Sequence, residues 1–275
     1  MAHLAHQSDD SVLIDRIGVR AAAAEAAEFA AALRLEIPPG SVPLTFPIRW
    51  LALPPVREAM ESLIGAHPVH ASQAFNFAGR IKVDCDYTLR IEIRRHHAPS
   101  RRIVVRSSVT DQNDRAVVQF ETVLLPTAAI SVAPMPNQYE AGSGFLPDID
   151  VGFIEEAQAA RYAAAAHDDG RLHSDSEFAR SIGLDGPIVH GMLMMGLFQK
   201  ALSEWRVGSD ISRLFALFAR PVPIGSRLVI SGRIVAPSKT TGPDRQIVRL
   251  FVRTERNQVA CIGEATVVPS STVPP

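Results

Sequence analysis

Apolar residues in the second half of the chain fall into two different periods. Phe153, Ile154, Ala157, Ala160 and Ala164 recur at helical spacing and predict an amphipathic helix over 154–166. A polar turn over 167–173 follows. Ser174 or Asp175 can then cap a short helix through Ala179, which Gly183 ends. Beyond Pro187 the stretch 189–205 carries Met192, Leu193, Met194, Met195, Leu197 and Phe198 on nearly every side, and a helix that is apolar all round is a buried one. The runs 214–218, 228–235, 247–253 and 259–268 after it have strand character. A buried helix followed by an antiparallel meander predicts a sheet wrapped around that helix.

The first half repeats this plan. The β-rich stretch from Arg101 to Leu125 resembles the stretch from Arg245 to Val268, and both turn at a polar tip, 111–114 in one and 255–258 in the other. Phe77-Ala-Gly-Arg-Ile-Lys-Val precedes the apolar run 88–93 as Phe218-Ala-Arg-Pro-Val-Pro-Ile-Gly precedes 228–234. The helical segment Glu28-Phe-Ala-Ala-Ala-Leu is echoed by Arg161-Tyr-Ala-Ala-Ala-Ala. Matches in one order, at offsets of about 133 to 144 residues, mark two copies of one α+β unit. Between the copies, 126–150 carries Pro126, Pro134, Pro136, Gly142, Gly144 and Pro147 with no periodicity, which is linker chemistry. The expected division is a first unit over 1–127, a linker over 128–150 and a second unit over 151–275.

Composition narrows the function. At 275 residues with 47% apolar and 21% charged positions, the chain has enough apolar material for a sizeable core and none of the character of a disordered one. Lys plus Arg total 28 against 29 Asp plus Glu, a balance that argues against a nucleic-acid partner. A local basic cluster remains at Arg94, Arg95, His96, His97, Arg101 and Arg102, expected at a strand end or tip; a solvated loop and a contact to the phosphates of a CoA or carrier-protein arm are both compatible with it. No apolar run reaches the roughly 18 residues of a spanning helix, and the polar N-terminus has no leader pattern, so no membrane partner and a cytoplasmic location are expected. Cys85 and Cys261 give neither a disulfide framework nor a metal-ligand spacing and read as strand cysteines in a reducing compartment.

Two features carry candidate chemistry. Asp168 and His173 sit five apart in the turn after the first helix of the second copy, where a loop can bring both side chains to one point. A carboxylate and an imidazole around one water can exchange its protons, their ordinary pKa values being about 4 and 6.5. Polar turns also carry Asp and His simply because they are solvated. His190 and Gly191 open the buried helix, where backbone N–H groups and the helix dipole suit a developing oxyanion and a missing side chain admits a ligand carbonyl. The structural alternative is that Gly191 permits tight packing and His190 is a satisfied, part-buried histidine. A metal cluster of His167, Asp168, Asp169 and His173 lacks a second ligand group. Ser72 and Ser203 lack the context of an activated nucleophile.

Together the two features resemble a known signature. Tyr162-Ala, then Asp168-Asp-Gly-Arg-Leu-His173, Phe178-Ala, and Gly186-Pro-Ile-Val-His190-Gly-Met resemble the MaoC-like acyl dehydratases, the (R)-specific enoyl-CoA hydratases of type 2. Val42-Pro-Leu-Thr-Phe-Pro and His70-Ala-Ser-Gln-Ala-Phe resemble the first half of the family's two-unit members. The resemblance implies a double hot-dog fold, two antiparallel sheets each wrapped around a central helix. It implies hydration of a trans-2-enoyl thioester and the reverse dehydration, with Asp168 and His173 as the catalytic pair. Gly191, beside His190, would receive the thioester carbonyl. The implied partner is an acyl-CoA or acyl-carrier-protein thioester, with no metal or redox cofactor and a homodimer expected.

Within that resemblance, the first copy has only Glu36 where the pair would stand, and its shorter helix over 54–64 fits a role in accommodating the acyl chain. Gly170 and Arg171 replace the family's Asn and Pro, which leaves open a slower enzyme or a thioester-binding subunit without turnover. A thioesterase on the same scaffold is the other alternative.

Overall fold

The computed structural model describes residues 4–8, 10–64, 68–97, 101–126, 145–207, 210–235 and 245–268. The chain forms two compact units. One takes the described residues up to 126 together with 162–170; the other takes 145–161 and the described residues from 171 onward.

The first unit runs β1 (Leu4–Ser8), β2 (Ser11–Arg20), α1 (Ala23–Ala32), a 3₁₀ turn (Phe46–Ala52), α2 (Pro54–Ile64), β3 (Pro68–Phe77), β4 (Asp86–Arg95), β5 (Ile103–Thr110) and β6 (Ala116–Pro126). Its strands pair antiparallel in the order β1-β2-β4-β5-β6-β3. Alternation decides which face is inside: Tyr87, Leu89, Ile91 and Ile93 of β4 are buried, with the residues between them more exposed. Val56, Ala59 and Leu63, at helical spacing on α2, are buried, and α2 packs on β2 and β4.

The second copy of the repeat runs β7 (Phe145–Phe153), α3 (Glu156–Ala166), a 3₁₀ turn (Arg171–His173), α4 (Ser176–Ser181), α5 (Gly191–Glu204), β8 (Asp210–Phe218), β9 (Arg227–Val235), β10 (Gln246–Thr254) and β11 (Val259–Val268). Its antiparallel order is β7-β9-β10-β11-β8. This is the first unit's order β2-β4-β5-β6-β3 repeated, so the internal repeat seen in the sequence is a repeat of topology. The predicted helices and strands of this copy are all present. α5 is the buried central helix, with Met192, Leu193, Met194, Met195, Leu197 and Phe198 inaccessible or nearly so.

One segment differs from expectation. Residues 145–150, read as linker, form most of β7, while 127–144 lie outside the described residues. β7 has no readable apolar period because only Val151 along it is buried. Polar anchors hold it instead: Arg227 pairs with Asp150, and Arg253 donates to Asp148 at 2.6 Å. Cys85 precedes β4 rather than lying in a strand, whereas Cys261 is buried in β11; neither is in a disulfide. Among the described residues, no helix is long and apolar enough to cross a membrane.

Close packing of α5 on the sheet is set by a glycine. A Cβ on Gly263 of β11 would lie 2.3 Å from Cε2 of the fully buried Phe198. Gly263→Ala is therefore expected to destabilise the protein by about 1–3 kcal/mol, the usual cost of overpacking a close-packed core. Urea unfolding checks this, and a midpoint equal to that of the wild type would show that Phe198 moves aside freely.

Candidate active site

The second unit positions His173 and His190 by backbone pairing. Ile188 forms an isolated bridge with Pro223, the N–H of Val189 donates to the carbonyl of Val222 at 2.8 Å, and that of Ile188 donates to the carbonyl of Leu172 at 3.0 Å. These bonds fix the strand-like approach to α5 against the 3₁₀ turn that carries His173. His190 takes the N-cap position of α5 in extended conformation, with no side-chain cap bond, and its side chain is buried. Its ring stacks on that of His173, centroids 3.7 Å apart and planes 22° from parallel.

Nδ1 of His173 lies 2.8 Å from the carbonyl oxygen of Ile188. A carbonyl only accepts, so Nδ1 carries the proton, and in the neutral imidazole the lone pair is left on Nε2. Gly191 is the first residue of α5, and helix geometry leaves its amide without an intrahelical carbonyl. A Cβ there would stand 3.0 Å from the Phe218 ring, so the close approach of β8 admits glycine with little room for anything larger.

Asp168 sits on the turn that ends α3. His167 adopts a left-handed backbone, φ 56°. The N–H of His167 reaches the carbonyl of Ala164 at 3.3 Å, and that of Asp168 reaches the carbonyl of Ala163 at 2.9 Å, the two crossing bonds of a Schellman ending. The carboxylate of Asp168 accepts from the N–H of Gly170 at 3.2 Å. Tyr162, one helical turn and a half earlier, is fully buried against Phe29; burial first and the Asp168 charge second push its phenol well up.

Arg57 and Arg49 hold this turn. The Arg57 guanidinium donates to the carbonyl of His167 at 2.9 Å and to the carboxylate of Asp169 at 3.0 Å, which keeps the Asp169 carboxyl below the usual carboxylate range. Arg49, itself buried, donates to Glu25 at 3.0 Å and to Nε2 of His167 at 2.8 Å. Because arginine only donates, Nε2 of His167 is the acceptor and that ring is neutral. Partial burial, followed by the Arg49 charge, draws the His167 pKa down.

His173, His190 and Gly191 thus come together within the second unit, while Asp168 packs with the first. His167 and Asp169, two donors of the metal set weighed from sequence, are already engaged by arginines. Arg171, at the family's Pro position, ties the turn to α4: it donates to Asp175 at 2.6 Å and lies 4.5 Å over the Phe178 ring, while Asp175 caps α4 through the N–H of Phe178. Arg49 and Arg57 were not evident from the sequence, since they reach residues 118 and 110 positions away and a single sequence holds no signal for such pairs. In the basic cluster, His96 and His97 follow the end of β4, as expected, and His97 pairs with Asp10.

Residues 137–250 match the family model described as MaoC like domain. Two curated relatives are similar to the chain. The (R)-specific enoyl-CoA hydratase of Aeromonas caviae is 32% identical over 115 residues, 40% of this chain and 83% of that protein. The mitochondrial 3-hydroxyacyl-[acyl-carrier-protein] dehydratase of Arabidopsis thaliana is 31% identical over 110 residues, 39% of this chain and 65% of that protein's length. Among solved structures, one described as a MaoC-like dehydratase superposes with a TM-score of 0.77 at 18% identity, over 95% of this chain and 98% of its own. A Mycobacterium tuberculosis protein described as a double hot-dog fold has a TM-score of 0.62 at 15% identity, over 93% of this chain and 95% of its own. The fold is a double hot-dog.

The Arg49 contact makes a pH prediction. With its folded pKa depressed, neutral His167 contributes to stability above the ordinary 6.5 and loses that contribution as pH falls through the lower folded value. In an NMR titration the His167 ring is expected to protonate below 6.5; a midpoint at or above 6.5 would contradict the contact.

Proposed function

The chain belongs to the MaoC-like family, and from that premise we propose that it adds water to a trans-2-enoyl thioester to give the (R)-3-hydroxyacyl thioester, and runs the reverse dehydration. The observation that carries the reading is the fixed imidazole of His173. With Nδ1–H committed to the Ile188 carbonyl, Nε2 is a base of defined position beside the N-terminus of α5.

Asp168 and His173 hold one water between them in this reading. The water oxygen bonds to C3 of the substrate as the C2–C3 π bond breaks, and the electron pair moves onto the thioester carbonyl oxygen. The Gly191 N–H, at the positive end of α5, stabilises that enolate-like oxygen. One water proton passes to Nε2 of His173 and is returned to C2 as the enolate collapses, so that OH and H are added and the pair is regenerated. Asp168 orients the water and balances the imidazolium. The bond from the Gly170 N–H supports its carboxylate. The carrier of the acyl group is CoA or acyl carrier protein, the two named for the relatives. The first copy of the repeat, without the pair, accommodates the acyl chain, and the active species is a homodimer.

Asp168→Asn and His173→Ala are each expected to lower hydration of crotonyl-CoA by about 10²- to 10⁴-fold, the usual worth of a positioned acid or base, with circular dichroism unchanged. The loss of enoyl absorbance measures turnover and a thiol reagent measures released CoA. Wild-type turnover in either folded variant would remove the assigned roles. CoA release without hydration would make the protein a thioesterase, and binding of crotonyl-CoA with neither signal would make it a non-catalytic acyl-thioester-binding subunit.

A further inference from the structure

The catalytic turn is held by side chains from the other copy of the repeat. Arg57, on α2, reaches the backbone carbonyl of His167 and the side chain of Asp169, the residues on either side of Asp168. Arg49, in the 3₁₀ turn before α2, reaches the His167 ring while anchored by Glu25 and lying 4.9 Å over the Phe46 ring. Arg57, His167, Asp168 and Asp169 line one recess of about 300 Å³. The second copy's turn is therefore gripped at His167 and Asp169, and among the described residues no arginine is paired with the Asp168 side chain.

The backbone chemistry argues that the grip has a purpose. A left-handed residue at a helix end is ordinarily glycine, because a β-carbon there crowds the following carbonyl oxygen. His167 occupies that position, and its ring is what Arg49 holds. Arg34 ends α1 in the same way, φ 53°, so the left-handed ending is a property of both copies, but the arginine anchor described here is on the copy that carries Asp168.

We propose that Arg57 and Arg49 are positioning residues for the hydration reaction: they clamp the turn 167–169 and so fix the carboxylate of Asp168 without touching the substrate. This rests on the hydratase reading above. Misplacing a reacting group by about 1 Å can cost on the order of 100-fold in rate, so the clamp acts on kcat more than on KM.

The test compares the full-length wild type with Arg57→Ala, Arg57→Lys and His167→Gly. Arg57 is partly exposed and its loss leaves no buried charge. Glycine at 167 suits the left-handed backbone, so the helix still ends there while the tie to Arg49 is gone. Arg57→Ala is expected to lower kcat for crotonyl-CoA by about 10- to 100-fold with KM within about three-fold. Arg57→Lys should recover part of the loss, and His167→Gly should lose about 10-fold without a lower Tm. Amide hydrogen exchange at 168–170 should quicken in Arg57→Ala and His167→Gly. Wild-type kcat in folded Arg57→Ala, or a loss that merely follows Tm, would overturn the positioning role while leaving hydration standing. A wild type inert towards every enoyl thioester would overturn the hydration reading instead. The exchange rates then still decide whether the arginines hold the turn, with unchanged rates overturning the clamp.

Discussion

One hydrogen bond constrains the chemistry of the second unit more than any other: the 2.8 Å contact between Nδ1 of His173 and the carbonyl of Ile188. An acceptor with no proton of its own dictates which imidazole nitrogen is protonated, and so which nitrogen of the neutral ring keeps its lone pair. That carbonyl is itself held, since Ile188 pairs with Pro223 and donates to Leu172, while Val189 donates to Val222. The stacked His190 ring covers one face of the imidazole, and His190 leads directly into α5. A buried apolar helix is a rigid base for such a device, because its packing on the sheet tolerates little displacement. The central claim, that this imidazole works as a base on water, grows from that rigidity.

The two copies of the repeat have diverged around the same topology. Each has an antiparallel sheet in one strand order, a helix with a left-handed ending and a central helix, but α2 spans 11 residues and α5 spans 14. The first copy's counterpart of the turn that follows α3 offers the exposed Glu36 and no histidine. What it supplies instead is cationic: Arg49 and Arg57 brace the turn 167–169. The buried Arg49, paired with Glu25 and shielded by Phe46, is placed where a bare charge would be costly.

Much of this was legible in the sequence because the signals were local. The uniform apolar character of 189–205 foretold α5, Asp175 and Gly183 bounded α4, and the strands of the second copy alternated visibly. Misses had local causes too. β7 is anchored by Asp148 and Asp150 rather than by an apolar face, so nothing in its pattern distinguished it from linker. β2 changes register between Ile14 and Ile17, which breaks the period of two that would have announced it. The motif around Asp168, His173 and Gly191 was readable as residue types in order. The tautomer of His173 and the arginines on the turn were not, since both depend on partners brought near only by folding.

The most direct test of the claim follows the oxygen atom. Purified protein is incubated with crotonyl-CoA in H₂¹⁸O and the product is analysed by mass spectrometry and chiral chromatography. The account predicts one ¹⁸O at C3 of an intact, (R)-configured 3-hydroxybutyryl thioester. Label in a free carboxylate with release of CoA thiol, or unlabelled substrate recovered unchanged, would contradict it.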